Sequence, residues 1–299
     1  MANTIGWGQA AVNNTIDWGK GKTNNTIGWG TIYSSSPYGD TDLIGTPAGD
    51  ADANAFISAA AITDATQKSA IDKLVVDLKG YGIWSKMNAI YPFIGGTSST
   101  HKYNLKDPRD LDAAYRITFN GGWVHSSNGI TSNGTNSFAD TKLVYTTLNN
   151  GHQSLYSRTT TKETQASFDM GSQGVGGGKF QLLALYSVAN FFYGAFNEDI
   201  NTRATMTNSS GLFVNNRTGA SAANLWRNGG KLIQTTNAVT NITNLSSYIG
   251  AFQDYANYAG YYAKKNYAFS SIGEGLTDTE AANYYTAVQT FQTTLGRNV

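Results

Sequence analysis

Cleaving a glycosidic bond takes two carboxyl groups flanking it, one to protonate the leaving oxygen and one to attack or to activate water. This chain holds four glutamates, Glu163, Glu198, Glu274 and Glu280, and none has an acidic partner two residues on. Glu198 and Asp199 are adjacent, which in an extended segment sends their side chains to opposite faces. Glu280 fits a helix cap. The three histidines, His101, His125 and His152, stand isolated, with no H-x-x-x-H and no carboxylate at ligand spacing. With no cysteine there is no thiolate nucleophile, no zinc–thiolate site and no disulfide framework. No G-x-S-x-G elbow marks a serine nucleophile. Residues 171–178 (GSQGVGGG) lack the lysine and following helix of a phosphate loop and read as a hairpin turn. Catalysis is not expected.

What could contact a ligand is aromatic. Residues 253–269 read QDYANYAGYYAKKNYAF and carry Tyr255, Tyr258, Tyr261, Tyr262 and Tyr267. A tyrosine offers a flat apolar face and a hydroxyl, which suits stacking on a sugar ring or filling a protein interface. Strand alternation would send only some of them outward. Glycan contact and packing between strands or subunits both stay open.

The elements that must position such a surface begin with a repeat. Asn3-Thr4-Ile5-Gly6-Trp7-Gly8 returns at Asn14–Gly19 and at Asn25–Gly30, with tryptophans at 7, 18 and 29, a period of 11. Ile and Trp two apart share one face of an extended chain, and Gly, Asn and Thr make a poor helix. Short strands joined by turns are expected. Ile5, Trp7, Ile16, Trp18, Ile27 and Trp29 could contribute about 1.5–3 kcal/mol each if fully buried. Fixing the backbone costs about 1–2 kcal/mol per residue. The repeat therefore cannot order itself alone, and these six residues are the expected docking contacts with a larger body.

Composition sets the class. Charged residues make up only 14% of the 299 residues, and polarity comes from Asn, Thr, Ser, Gln and Gly beside 18 Tyr. That is the balance of an all-β surface protein. A net charge of +1 gives no pull on nucleic acid or anionic membrane. No charged n-region followed by an apolar run opens the chain, so no signal peptide is expected, and no stretch is long enough to span a bilayer.

Residues 1–30 form the repeat arm and 31–50 a Gly/Pro/Ser/Asp-rich linker. Residues 51–90 read as helical: a first Ala-rich helix, and a second capped at Thr63-Asp64 with a core stripe of Ile71, Leu74, Val75 and Leu78. A third short helix is expected over Ile83–Ile90, closed by Pro92. From there to residue 299, short strands alternate with Gly/Asn/Ser turns such as Asn228-Gly229-Gly230, the pattern of a sandwich. A last helix over 277–295 has a Thr277/Glu280 capping box, a stripe of Ala281, Tyr284, Val288, Phe291 and Leu295, and Gly296 as its stop.

The order SNGITSNGTNSFADT (127–141), NLWRNGGKLIQ (224–234), YIGAFQD (248–254) and FSSIGEGLTDTEAANYYTAV (269–288) resembles the concanavalin A-like lectin/glucanase family in its laminin-G-like form. The resemblance covers roughly residues 90–299 and implies a mainly β antiparallel sandwich of jelly-roll type. The glucanases of that family carry an E-x-D-x-E pattern that is missing here. Its laminin-G-like members often hold calcium, for which Asn136 and Asp140 are the candidates; no other cofactor is implied. With GIWSKMNAIYPFIGG (82–96), LKDPRDLDAAYRITFNGGW (105–123) and the repeats, the chain also resembles virion or fibre proteins of tailed phages of Bacteroidetes-type hosts, crAss-like phages among them. That likeness implies a structural virion protein, a head or tail fibre or decoration. Its arm would meet other virion proteins (capsid, portal or tail), it would be a homo-oligomer, a trimer by preference, and it would adhere to host or mucosal glycans. The alternatives are a stand-alone carbohydrate-binding adhesin and a polysaccharide-degrading enzyme on the same fold.

Overall fold

A computed structural model describes residues 9–11, 14–16, 49–174, 179–182, 190–197, 202–239, 242–256 and 259–299, with backbone alone at 9–11, 14–16 and 179–182. The chain divides into two compact units, Met1–Ala48 and Gly49–Val299. In the first, β1 (Gln9–Ala11) pairs antiparallel with β2 (Asn14–Ile16), the Asn-Thr-Ile of the second repeat copy. Ile16 lies on β2. Ile5, Trp7, Trp18, Ile27 and Trp29 lie outside the described residues.

The second unit opens with α1 (Ala51–Ala59) and α2 (Ala65–Gly80). Of the expected cap pair, Asp64 does the capping, its carboxylate accepting from the Gln67 N–H at 2.8 Å. The stripe Ile71, Leu74, Val75 and Leu78 is buried. The third helix does not form. A single 3-10 turn at Trp84–Lys86 leads into strand β3 (Met87–Tyr91). An apolar run buried on both faces reads alike as helix or strand from spacing alone, and here backbone pairing with a later strand decides it.

The short helix α3 (Ser98–His101) is followed by β4 (Thr118–Asn120), β5 (Val124–Ser126), β6 (Gly129–Thr131), β7 (Phe138–Val144) and β8 (Gly151–Ser157). Next come β9 (Met170–Gln173), β10 (Lys179–Leu182), β11 (Phe191–Phe196), β12 (Thr202–Thr205) and β13 (Gly211–Gly219). The last strands are β14 (Ala222–Arg227), β15 (Gly230–Thr235), β16 (Ser246–Ile249), β17 (Phe252–Asp254), β18 (Ala259–Gly260) and β19 (Asn266–Gly273), before α4 (Asp278–Thr294).

These strands make an antiparallel sandwich. One sheet runs β12-β11-β10-β9-β16-β7-β4, with β17 and β18 attached at β9; the other runs β15-β14-β13-β8-β19-β6-β5, with β3 beside β19. The turn predicted at Asn228-Gly229 joins β14 to β15, and both residues have positive φ (50° and 74°), as a two-residue hairpin with right-twisted strands requires. Between the sheets, Met170, Phe192, Phe196 and Ile249 meet Leu155, Phe213, Leu225 and Ile272. The outer face of the second sheet is covered in turn. Tyr156, Val214, Trp226 and Phe269 pack under the α2 stripe and under Tyr284, Val288 and Phe291 of α4. Strands β8 and β19 are thus apolar or hydrogen-bonded on both faces, and every residue of β8 is buried. Helices and strands belong to the same compact unit.

The capping box at the start of α4 forms as expected: the Thr277 side chain accepts from the Glu280 N–H, and the Glu280 carboxylate accepts from the Thr277 N–H. At the other end Gly296 sits at φ 64°, its N–H donating to Thr293 O and the Arg297 N–H donating to Gln292 O. This Schellman turn, which needs glycine at that position, reverses the chain and aims Arg297 into the protein.

Candidate ligand-binding surface

Strands β17 and β18 form a hairpin, Phe252 opposite Gly260 and Gln253 opposite Ala259, held to the sheet by a parallel pairing of β17 with β9. Tyr255 stands at the tip, 58% exposed. Tyr258 lies outside the described residues. Tyr261 succeeds β18 at φ 55°, in the left-handed region that bulky residues rarely occupy. The residue is 52% exposed. Its inner edge rests on Phe168 (centroids 5.5 Å apart) and Phe252 (5.3 Å), which themselves pack edge to face at 4.7 Å. Tyr262 points the other way, half-buried, its hydroxyl donating to Ala259 O at 2.9 Å. Of the five tyrosines in this segment, the fold brings Tyr255 and Tyr261 to the surface, leaves Tyr262 half-buried and buries Tyr267.

Under this hairpin lies a group of ionisable side chains that the sequence does not announce. Asp169 and Lys265 are fully buried and lie 3.0 Å apart, Oδ2 to Nζ. The Tyr267 hydroxyl donates to Asp169 Oδ1 at 2.7 Å. Glu163 comes within 4.0 Å of the same ammonium and accepts from the Lys264 N–H at 2.7 Å. Burial raises the Glu163 carboxyl above the ordinary glutamate value. Burial first, and then the Asp169 charge, push the Tyr267 phenol well above its ordinary value, so it remains a donor. Nothing local in the sequence links these residues: Asp169 and Lys265 are 96 positions apart.

Two further clusters correct the reading of the histidines as isolated. His101 and His125 meet with Nδ1 atoms 3.0 Å apart. Because His101 Nε2 accepts from the Gly96 N–H, its Nδ1 carries the proton and donates to His125. Burial, then the His125 and Arg297 charges, hold His101 down at about 3. His152 has Nδ1 2.6 Å from the Glu274 carbonyl, which can only accept, so Nε2 is free to accept from Ser271 Oγ at 2.9 Å. Ser271 and Ser154 both reach the Tyr284 hydroxyl on α4 at 2.7 Å. A serine beside an oriented histidine has the form of an activated nucleophile. Here His152, Ser154 and Ser271 are fully buried in the sheet beneath α4, which supplies the equally buried Tyr284, so the network ties helix to sheet.

The calcium candidates have other partners. Asn136 Oδ1 accepts from the Gly122 N–H and from Asn133 Nδ2, and Asp140 pairs with Lys142 at 2.7 Å. Among the described residues no group of three or more His, Asp or Glu could hold a metal ion. Glu198 and Asp199 lie outside them. A shallow recess of about 320 Å³ runs along the outer face of α4 between Tyr285, Gln289 and Thr293, away in sequence from the tyrosine hairpin.

No protein-family model matches the chain, and no curated protein matches it. Among solved structures it is similar to domain 4 of AbnA, a GH43 extracellular arabinanase from Geobacillus stearothermophilus, in complex with arabinotriose. That likeness has 13% identity and a TM-score of 0.45, over 67% of this chain and 98% of that one. The CBM40 domain of the Ruminococcus gnavus IT-sialidase overlaps 45% of this chain and 82% of its own at 16% identity and a TM-score of 0.33. The binding domain of Paraclostridial Mosquitocidal Protein 1 overlaps 69% of this chain and 53% of its own at 10% identity and a TM-score of 0.45. The overlap is partial in each case and assigns this chain no ligand.

Proposed function

We propose that the chain is an adhesion module whose β17–β18 hairpin binds carbohydrate, with Tyr261 at its base as the stacking platform and Tyr255 at its tip as a second contact. One observation carries this reading. Tyr261 combines an unfavourable left-handed backbone with a large side chain that stays half in water, packed against Phe168 and Phe252. Such outliers concentrate at binding sites because the surrounding structure must hold them. A rigid aromatic on an aromatic floor costs little entropy to use, which is what a shallow sugar platform needs. The buried carboxylates of Asp169 and Glu163 are engaged by Lys265 and by the Lys264 N–H, which favours binding over hydrolysis.

The reading extends to a structural protein of a phage virion, a head or tail fibre or decoration protein assembled as a trimer. It would be joined to its particle by the N-terminal repeats, and its support is the sequence likeness together with the dependence of the repeat on a larger body. Two measurements check it. Tyr261→Ala is expected to weaken binding to any glycan found on an array at least about tenfold, a loss of about 1.4 kcal/mol, with the circular dichroism spectrum unchanged. Wild-type protein that binds no glycan at high valency removes the carbohydrate reading. A triple Trp7→Ala, Trp18→Ala, Trp29→Ala variant is expected to stay folded in its sandwich and to be lost from particles; normal incorporation contradicts docking through the arm.

A further inference from the structure

We propose that Lys265 and Asp169 form an intramolecular isopeptide bond, made by the chain itself, with Glu163 as its acid–base group and Tyr267 as its oxyanion donor. This proposal is independent of the glycan reading. The two groups already meet: Nζ and Oδ2 are 3.0 Å apart with both side chains at 0% exposure, which holds the amine beside the carboxyl group it would attack. The Tyr267 hydroxyl sits 2.7 Å from Asp169 Oδ1, where negative charge gathers when the carboxyl carbon becomes tetrahedral. Glu163 reaches to 4.0 Å of the amine with its side chain 12% exposed, and burial favours its protonated form.

The bookkeeping of atoms closes without any outside reagent. The reaction requires one proton to pass from the ammonium to the carboxylate, which gives a neutral amine beside a neutral acid. The amine lone pair attacks Asp169 Cγ, and the carbonyl π electrons move to Oδ1, held by Tyr267. Glu163, starting protonated, gives its proton to the departing oxygen and takes one back from the new nitrogen centre. The C–O bond to Oδ2 breaks, one water leaves, and an amide remains; Glu163 ends as it began. No oxidation or reduction occurs.

The position of the bond gives it a purpose. Asp169 immediately precedes β9 of one sheet and Lys265 immediately precedes β19 of the other, so the amide would staple the two sheets across their core and close a loop of 96 positions. A chain with no cysteine has no disulfide for that task. Closing a long loop removes freedom from the unfolded chain in the manner of a disulfide, and a protein that adheres under tension gains from a sheet-to-sheet covalent tie.

Intact mass spectrometry of the purified full chain tests this. The expected mass is that of the sequence less one water, with trypsin failing to cut after Lys265 and a branched peptide joining the segments around Asp169 and Lys265. Glu163→Gln, which keeps the shape of the side chain, is expected to restore the full sequence mass in most molecules while the circular dichroism spectrum stays native. Wild-type protein at the full sequence mass, with Asp169 and Lys265 in separate peptides, overturns the proposal. So does a water loss that maps to another aspartate. A bond that forms completely in Glu163→Gln overturns the role given to Glu163.

Discussion

Arg297→Ala is expected to destabilise the protein by about 3–5 kcal/mol, a large share of what holds a domain together. Arg297 is 1% exposed and lies among carbonyls, not carboxylates. Its guanidinium donates to Phe93 O at 2.8 Å, to Pro92 O and Ala268 O at 3.1 Å, and to Gln292 Oε1 at 3.0 Å, and it lies 5.4 Å from the Phe291 ring centroid. One side chain thus joins the end of α4, the segment after β3 and the middle of β19. Each charged hydrogen bond contributes about 1.5–3 kcal/mol, and each buried carbonyl left without a donor costs about 1–3 kcal/mol. Against this stands the cost of burying the charge, which pulls the guanidinium down to about 9, still protonated at neutral pH. The carbonyls cannot follow the charge out to solvent, so their loss wins. Arg297→Lys is not expected to rescue, because three donors on a point charge cannot reproduce a planar fork spanning four acceptors. Urea denaturation measures the effect; a loss below about 1 kcal/mol would mean that water enters and replaces the guanidinium.

Stability is expected to fall as pH drops from about 6.5 to about 4, before the carboxylates at the surface matter. His101 and His152 are buried at 1% and 0% exposure and are held at about 3 and about 4 against 6.5 when unfolded. Burial is the largest cause in both, because the imidazolium would lose its water. The sign comes from proton counts. Between the folded and unfolded values the unfolded chain binds a proton that the folded chain refuses, so acid favours unfolding. The contribution is fully present above 6.5 and disappears as the folded values are approached. The slope approaches about 1.4 kcal/mol per pH unit for each histidine. Glu163, raised by burial, works in the opposite direction near its own titration. Urea midpoints between pH 7.5 and 4.5 report the slope, and His152→Gln should lessen it. A midpoint flat across that range would show that the folded protein takes up these protons without cost, against the closed hydrogen bonding at His152 and His101.

Much of the architecture is legible because its causes are local. The N–G turn between β14 and β15, the Thr277/Glu280 box, the Gly296 stop and the α2 stripe are each written within a few neighbouring residues, and each forms. Met87–Ile90 is misread as helix because its partner is β19, some 180 positions later. The tyrosine segment stands out by composition, but which rings face water depends on what the hairpin packs against: Tyr261 and Tyr255 are exposed, Tyr262 is half-buried with its hydroxyl on Ala259 O, and Tyr267 is buried.

By itself, then, the sequence determined the class of fold and the places of several turns and caps. Only the tertiary structure decided that the helices roof the second sheet, that His101 finds His125, that His152 finds Ser271, and that Asp169, Lys265, Glu163 and Tyr267 converge. The physical reason is range. Capping, turn geometry and periodicity act over a handful of bonds and leave their mark in neighbouring letters. A buried ion pair or a histidine network arises where two sheets close on each other, and residues 96 or 119 positions apart carry no sign of meeting until they do.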